Sequence, residues 1–216
     1  MMLFFENLSM QAMVLMAGAT GDVNALAAQV IVVSIGELLL TFPYGLSLSA
    51  AAFVGNAMGA RRPALAKSNS RIFFVFSALI ALAVCLSLSH YRHSIITLYG
   101  ATLDVRNIAD PTLRVFAIVF FWDWVQNSLG GIIKGVGQQA IASVASLFCM
   151  LCLNLPIGYL IGLHREAGLP GLWTGFGISC STLAALYAAI LFKLDWKQAA
   201  LKASEDETKM NDCDVS

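Results

Sequence analysis

Six apolar stretches follow one another along the chain, at 1–17, 25–54, 72–89, 113–136, 141–163 and 171–194, separated by short polar segments. A helix needs about 20 mostly apolar residues to cross the hydrocarbon of a bilayer, and a run of this kind repeated six times predicts a bundle of membrane-spanning helices. The second stretch is overlong for one crossing and contains Pro43; a kink or tilt there takes up the surplus, and neighbouring helices satisfy the backbone groups that proline frees. Pro156 in the fifth stretch reads the same way. The first stretch lacks a basic leading region and a small-residue cleavage site, so it reads as a helix and not as a signal peptide.

The polar segments complete the outline. Gly59-Ala60-Arg61-Arg62-Pro63-Ala64-Leu65-Ala66-Lys67 predicts a turn leading into a short amphipathic piece, and 90–110 a longer polar connection. After Trp196 the chain turns Lys- and acid-rich, and 204–216 reads as a disordered polar tail. The expected fold is therefore all-α and polytopic, with one six-helix transmembrane lobe over 1–203 followed by that tail.

Composition confirms the solvent. Hydrophobic residues make up 58% of the 216 positions and charged residues 12%, about half the charge of an ordinary soluble domain. Lipid must therefore cover much of the surface. The formal net charge is zero, which argues against a nucleic-acid partner held by a basic face.

The few cations do give an orientation. Arg61, Arg62, Lys67, Arg71, Lys134, Lys193, Lys197, Lys202 and Lys209 fall on one side of the six-helix path; Arg92, Arg106, Arg114 and Arg165 fall on the other. The richer side is expected in the cytoplasm, together with the C-terminus and the start of the first helix. Whether the membrane is the plasma membrane or an internal one stays open.

Three acids lie inside apolar stretches: Glu6, Glu37 and Asp123. Charge at membrane depth is costly and marks candidate ion or substrate pathways. A carboxylate without a basic partner can hold a proton, or release it and attract a cation, and those two occupancies compete for one charge. Asp123 is surrounded in sequence by Phe120, Phe121, Trp122 and Trp124, and aromatic faces beside a carboxylate suit an organic cation. Gln11, Gln126 and Asn127 extend a polar lining on the same helices, with Gln126 one turn from Asp123. The candidate substrate and cation ligands are Glu6, Gln11, Glu37, Trp122, Asp123 and Gln126. The plainer alternatives are protonated acids hydrogen-bonded at helix interfaces, and rings that face lipid or its interface.

Small residues recur at 47–52 and at Gly130, Gly131, Gly135 and Gly137, and allow close helix approach. Cys149 and Cys152 have CxxC spacing but no His or Asp beside them, so they read as packing residues at a helix interface, and no metal or cofactor is expected. His90, His93 and His164 fall in expected loops, which leaves no nucleophile–base pair for an intramembrane enzyme.

Several segments taken together resemble the multidrug and toxic compound extrusion (MATE) family, in its C-terminal lobe. GLSLSAAAFVGNAMGARRPALAK at 45–67 is similar to the family stretch in which a small-residue helix runs into V-G-N-x-x-G-A, a basic turn and a proline. DWVQNSLGGIIKGVGQQ at 123–139 resembles acid-x-x-Q followed by G-x-x-R-G-x-G-x-Q. Leu155-Pro156-Ile157-Gly158, Gly171-Leu172-Trp173-Thr174-Gly175 and Asp195-Trp196-Lys197 match the family's L-P-x-G, G-L-W-x-G and closing polar-W-K in the same order.

The resemblance implies an antiporter that exports organic cations or other xenobiotics against inward H⁺ or Na⁺, with H⁺ favoured because the likeness is to eukaryotic members. It implies that acids on the first and fourth helices line a central cavity, and Glu6 and Asp123 take those positions. A second family acid on the first helix is Gln11 here, an acid frequent on the second is Ser34, Lys134 replaces an arginine, and Asn154 stands for a glycine. Glu37, one turn from Ser34, is a candidate substitute.

Length is the largest departure, because the family faces two six-helix lobes across a cleft. At 1.5 Å per residue the first stretch spans only ~26 Å, which is expected to leave Glu6 near the cytoplasmic edge. The sequence is accordingly read as a partial product missing an N-terminal lobe, with a homodimer of half-transporters as the alternative. A non-transporting lobe that binds other membrane proteins is a third reading.

Overall fold

The computed structural model describes residues 2–19 and 21–202, with side chains from residue 4 onward. All six expected helices are present: α1 (Met2–Gly18), α2 (Val23–Gly59), α3 (Pro63–Leu98), α4 (Leu103–Gly135), α5 (Gln139–His164) and α6 (Gly168–Lys193). No strand occurs among the described residues. Of these helices, α2 to α6 are long and apolar enough to cross a bilayer. The expected tail at 204–216 lies outside the described residues.

The helices run further than the apolar stretches that predicted them. With 37 residues, α2 extends about 55 Å, well beyond the hydrocarbon thickness of ~30 Å. The polar segment at 90–110 is not a long connection: α3 continues through His90 and His93 to Leu98, and α4 begins at Leu103. Gly100, at φ +64°, turns the chain between them. His164 likewise ends α5 instead of lying in a loop. Nor is there a separate amphipathic piece after Arg62, because Pro63 opens α3 directly, where its missing N–H costs nothing. Polar residues end an apolar run but need not end a helix, since a helix satisfies its own backbone and lets the side chains reach water.

The centre of the bundle is α4. In its most apolar window 83% of residues are buried inside the protein, against 17% in α3, which turns most of its surface outward. Close approach of α2 to α4 depends on missing side chains. A Cβ on Gly131 would lie 2.3 Å from the Ser47 carbonyl oxygen, and one on Gly135 would lie 2.8 Å from that of Ala51. Gly137 has a different task, ending α4 in the left-handed region at φ +77°.

A second glycine seam joins α5 to α6. Gly158 and Gly162, four apart on α5, face Gly175 and Gly171 on α6; a Cβ on Gly171 would sit 2.7 Å from the Gly162 Cα. Such pairs let two backbones touch, which supplies the packing that hydrophobicity cannot supply between helices in lipid. Around Pro156, α5 widens into π-helical stretches at Phe148–Leu153 and Tyr159–His164. Cys149 is buried and Cys152 is exposed, so the two do not share the expected interface.

One end of the bundle is closed by a small apolar cluster of Val54, Ala57, Met58, Ala66, Val136 and Ala200, against which Trp196 packs. The Asp195 carboxylate starts this last helical segment by accepting the Lys197 and Gln198 backbone N–H groups. Arg61, Arg62, Lys134 and the lysines at 193–202 gather at this end, as the six-crossing path requires.

Candidate functional site

Two of the three intramembrane acids are brought together. Both Glu6 on α1 and Asp123 on α4 are buried, at 5% and 3% exposure. Gln126 lies between them and donates its side-chain amide to Asp123 Oδ1 at 3.0 Å and to Glu6 Oε2 at 3.3 Å. Its NH₂ carries two hydrogens, so one amide serves both carboxylates. Tyr44 on α2 donates its hydroxyl to Glu6 Oε1 at 3.0 Å. Asn127 donates to Asp123 Oδ1 at 3.4 Å, and the Cys180 thiol on α6 faces the same oxygen at 3.8 Å. Four helices thus hold one polar cluster.

Helical phase explains the membership. Asp123, Gln126 and Asn127 share a face of α4 because residues three and four apart are stacked on a helix. The short α1 does not leave Glu6 at the end of the bundle. Glu6 is level with Tyr44 and Gln126, and beyond them α2 continues for about 22 Å and α4 for about 13 Å.

Neither acid forms an ion pair among the described residues, in contrast to Asp110, which pairs with Arg92 and His93. The cluster therefore offers acceptors and neutral donors but no cation of its own. Two carboxylates sharing a buried site repel when both are ionised, and a proton or a cation relieves that repulsion.

Space beside the pair is of two kinds. A cleft of about 150 Å³ between α1 and α2 is lined by Glu6, Asn7, Gln11, Glu37 and Tyr44 with apolar Met10, Val14, Val33 and Leu40. A gap of about 10 Å³ lies inside it, bounded by Glu6, Asp123, Phe116, Phe120, Trp173 and Phe176. Glu6, Met10 and Leu40 form the wall common to both. The gap is large enough for about one water and no organic ligand.

Among the remaining candidates, Gln11 and Glu37 line the cleft but make no hydrogen bond to the acid pair. Ser34 is exposed on α2 and returns its hydroxyl to the Val30 carbonyl. Trp122 is separated from the cluster: it is 40% exposed on the outer face of α4, edge-on to Phe121. Trp124 is buried on another side, where it donates to Ser77, itself in contact with the Ser128 hydroxyl. The rings that do face Asp123 are Phe116, Phe120, Trp173 and Phe176.

Tyr44 and Cys180 escaped the sequence reading. A tyrosine in the middle of an apolar run was the available signal for the first, since a buried phenol almost always finds a partner. A lone cysteine in a small-residue helix carries no such signal.

Asn154 ties α1 to α5. Its amide donates to the Ser9 hydroxyl at 2.6 Å, and Ser9 donates to the Met150 carbonyl at 2.7 Å. That carbonyl lies in the π-helical stretch, so the Asn154 side chain connects α1 to the irregular part of α5.

The comparisons with known proteins agree with this architecture. The MatE family profile matches residues 1–160. The chain is 26% identical over 188 residues to human (Homo sapiens) multidrug and toxin extrusion protein 1, covering 87% of this chain and 33% of that protein. It is 28% identical over 204 residues to Protein DETOXIFICATION 36 of Arabidopsis thaliana, covering 94% and 41%. In fold it superposes on the eukaryotic MATE transporter AtDTX14 with a TM-score of 0.90 at 22% identity, over 95% of this chain and 46% of that one. The Vibrio cholerae MATE transporter VcmN in its bent form gives 0.81 at 19% identity, over 94% and 49%. The chain thus spans between about a third and a half of the proteins it matches. With that profile covering most of its length, the chain belongs to the MATE family of membrane transport proteins.

Proposed function

We propose that this chain is the C-terminal lobe of a secondary antiporter that exports organic cations or related xenobiotics in exchange for H⁺. The observation that carries the proposal is the Glu6–Gln126–Asp123 cluster, two buried carboxylates on one amide with no cation paired to either among the described residues. Such a pair can take up a proton from one side of the membrane and yield it when a cation approaches from the other. The names of the relatives, multidrug and toxin extrusion protein 1 among them, support efflux of many compounds. A wide substrate range agrees with an apolar, aromatic surround that fixes charge but little shape.

The cleft between α1 and α2 exposes Asn7, Gln11 and Glu37, and we assign that polar face to the missing half of the cavity. An N-terminal lobe supplies it in the leading reading and a second copy of this lobe in the alternative. The end that gathers Arg61, Arg62, Lys134 and Lys197 faces the cytoplasm in this reading.

The test is Asp123→Asn in a complete transporter containing this lobe, reconstituted in vesicles with an imposed pH gradient and a fluorescent organic cation. Proton-driven accumulation is expected to vanish while the protein still folds; unchanged accumulation would remove Asp123 from the coupling site. Accumulation driven by a Na⁺ gradient alone would replace H⁺ as the coupling ion.

A further inference from the structure

The cleft between α1 and α2 carries a second carboxylate besides Glu6. Glu6 lines it from α1 and Glu37 from α2. Contacts at both ends of α1 show that the two helices run antiparallel: Glu6 meets Tyr44, and a Cβ on Gly18 would touch Leu26 Cδ1 at 3.9 Å. From Gly18 back to Glu6, and from Leu26 forward to Glu37, the helices advance about 17–18 Å each. The two acids therefore lie at one depth, on the two helices that wall the cleft.

Their surroundings differ. Glu6 is buried and accepts from Tyr44 and Gln126. Glu37 is exposed, and its carboxylate has no hydrogen bond or ion pair among the described residues. Its depth makes that informative, because α2 extends about 21 Å to one side of Glu37 and about 33 Å to the other. A bare carboxylate so far from both helix ends is costly against hydrocarbon and belongs to a polar cavity. The cleft supplies one, since Asn7 and Gln11 line the same space from α1.

None of the described residues lining the cleft is cationic. A positive group entering it meets one carboxylate at the inner wall and a second at the rim. Glu6 shares Gln126 with Asp123, whereas Glu37 stands outside that network. A monocation engages one acid and leaves the other bare. A ligand with two positive centres satisfies both, and the apolar side chains of Met10, Val14, Val33 and Leu40 suit the linker between its charges. The volume of about 150 Å³ restricts the enclosed part to a compact molecule.

We propose that the α1–α2 cleft selects compact organic dications, with Glu6 holding one positive centre and Glu37, a specificity-determining residue, holding the other. The proposal names the substrate class of the transport reading above and rests on it.

The test compares tetramethylammonium with bis(trimethylammonium)alkanes of increasing linker length. Each is used to inhibit fluorescent-cation uptake by a complete transporter containing this lobe, in the same vesicles. At one linker length the dication is expected to inhibit about tenfold or more tightly than tetramethylammonium. Glu37→Gln should abolish that advantage, leave tetramethylammonium within about twofold, and retain proton-driven accumulation. Glu37→Asp should keep the advantage but move it to a longer linker, a change that lost packing would not produce. A wild type that prefers no dication, or a Glu37→Gln variant that weakens both classes equally, overturns the proposal and leaves the coupling role of Asp123 untouched. If Asp123→Asn accumulates normally while the dication preference still depends on Glu37, the coupling assignment falls and the cleft assignment stands. Should Glu37→Gln fail to fold, the linker shift in Glu37→Asp decides the matter alone.

Discussion

Tyr44 and Glu6, 38 residues apart, meet across the α1–α2 contact with the phenol hydroxyl 3.0 Å from carboxylate Oε1. Gln126 supplies the other donor to the same carboxylate. An acid deep in an apolar bundle is tolerable only while such partners remain, and the phenol is the shorter of the two contacts.

Tyr44→Phe removes that donor and leaves Glu6 with the Gln126 amide. The expected loss of stability is about 1–3 kcal/mol, the cost of leaving a buried polar group short of one partner. Chemical unfolding in detergent checks it. Combining Tyr44→Phe with Glu6→Leu should cost less than the two separate losses together, because the demand for a donor disappears with the carboxylate.

Glycines on α2 and α4 should respond in opposite directions. Gly131→Ala places a methyl group 2.3 Å from the Ser47 carbonyl oxygen, a backbone atom that cannot yield cheaply, and should destabilise by several kcal/mol. Gly45→Ala meets nothing within 4 Å inside α2 and should gain about 0.5–1 kcal/mol from helix propensity. Thermal midpoints of the two variants, measured side by side, would decide whether the α2–α4 contact is as close as described.

Aromatic residues near Asp123 should divide by face. Phe120→Ala opens the wall around the acid and is expected to weaken organic-cation transport in a complete transporter about tenfold. Trp122→Ala, on the outer face, should leave transport within about twofold. Equal losses at both positions would mean that Trp122 reaches the substrate after all.

Orientation can be read by glycosylation mapping. An Asn-X-Thr acceptor inserted in the turn after Leu98 should be modified, and one inserted between Gly59 and Pro63 should not. The reverse pattern would invert the proposed topology.

Much of this was legible from residue order, and the failures have a common cause. Glu6, Asp123 and Gln126 could be picked out because polar groups inside apolar runs are rare. Trp122 was grouped with Phe120 because both are close to Asp123 in sequence, yet consecutive helical residues turn by 100° and point apart. Position i−3 carries Phe120 to the face of Asp123, whereas i−1 carries Trp122 away from it. The 90–110 segment misled for a related reason: hydropathy reports contact with lipid, and α3 and α4 outrun the lipid as helices.

Composition and periodicity alone determined that the chain is a bundle of membrane helices, how many there are and which acids lie within the apolar stretches, because each of those depends on the transfer of side chains from water to lipid; that Glu6 and Asp123 are buried and Glu37 exposed was decided by packing. Only the tertiary structure decided which of the buried groups meet. Gln126 reaches both acids, Tyr44 reaches Glu6, and Asp110 pairs with Arg92. Those outcomes depend on the phase and depth at which one helix lies against another. Phase and depth are set in turn by where Gly131, Gly135, Gly158 and Gly171 let backbones touch, and close packing of that kind is a property of pairs of helices that no single stretch of sequence contains.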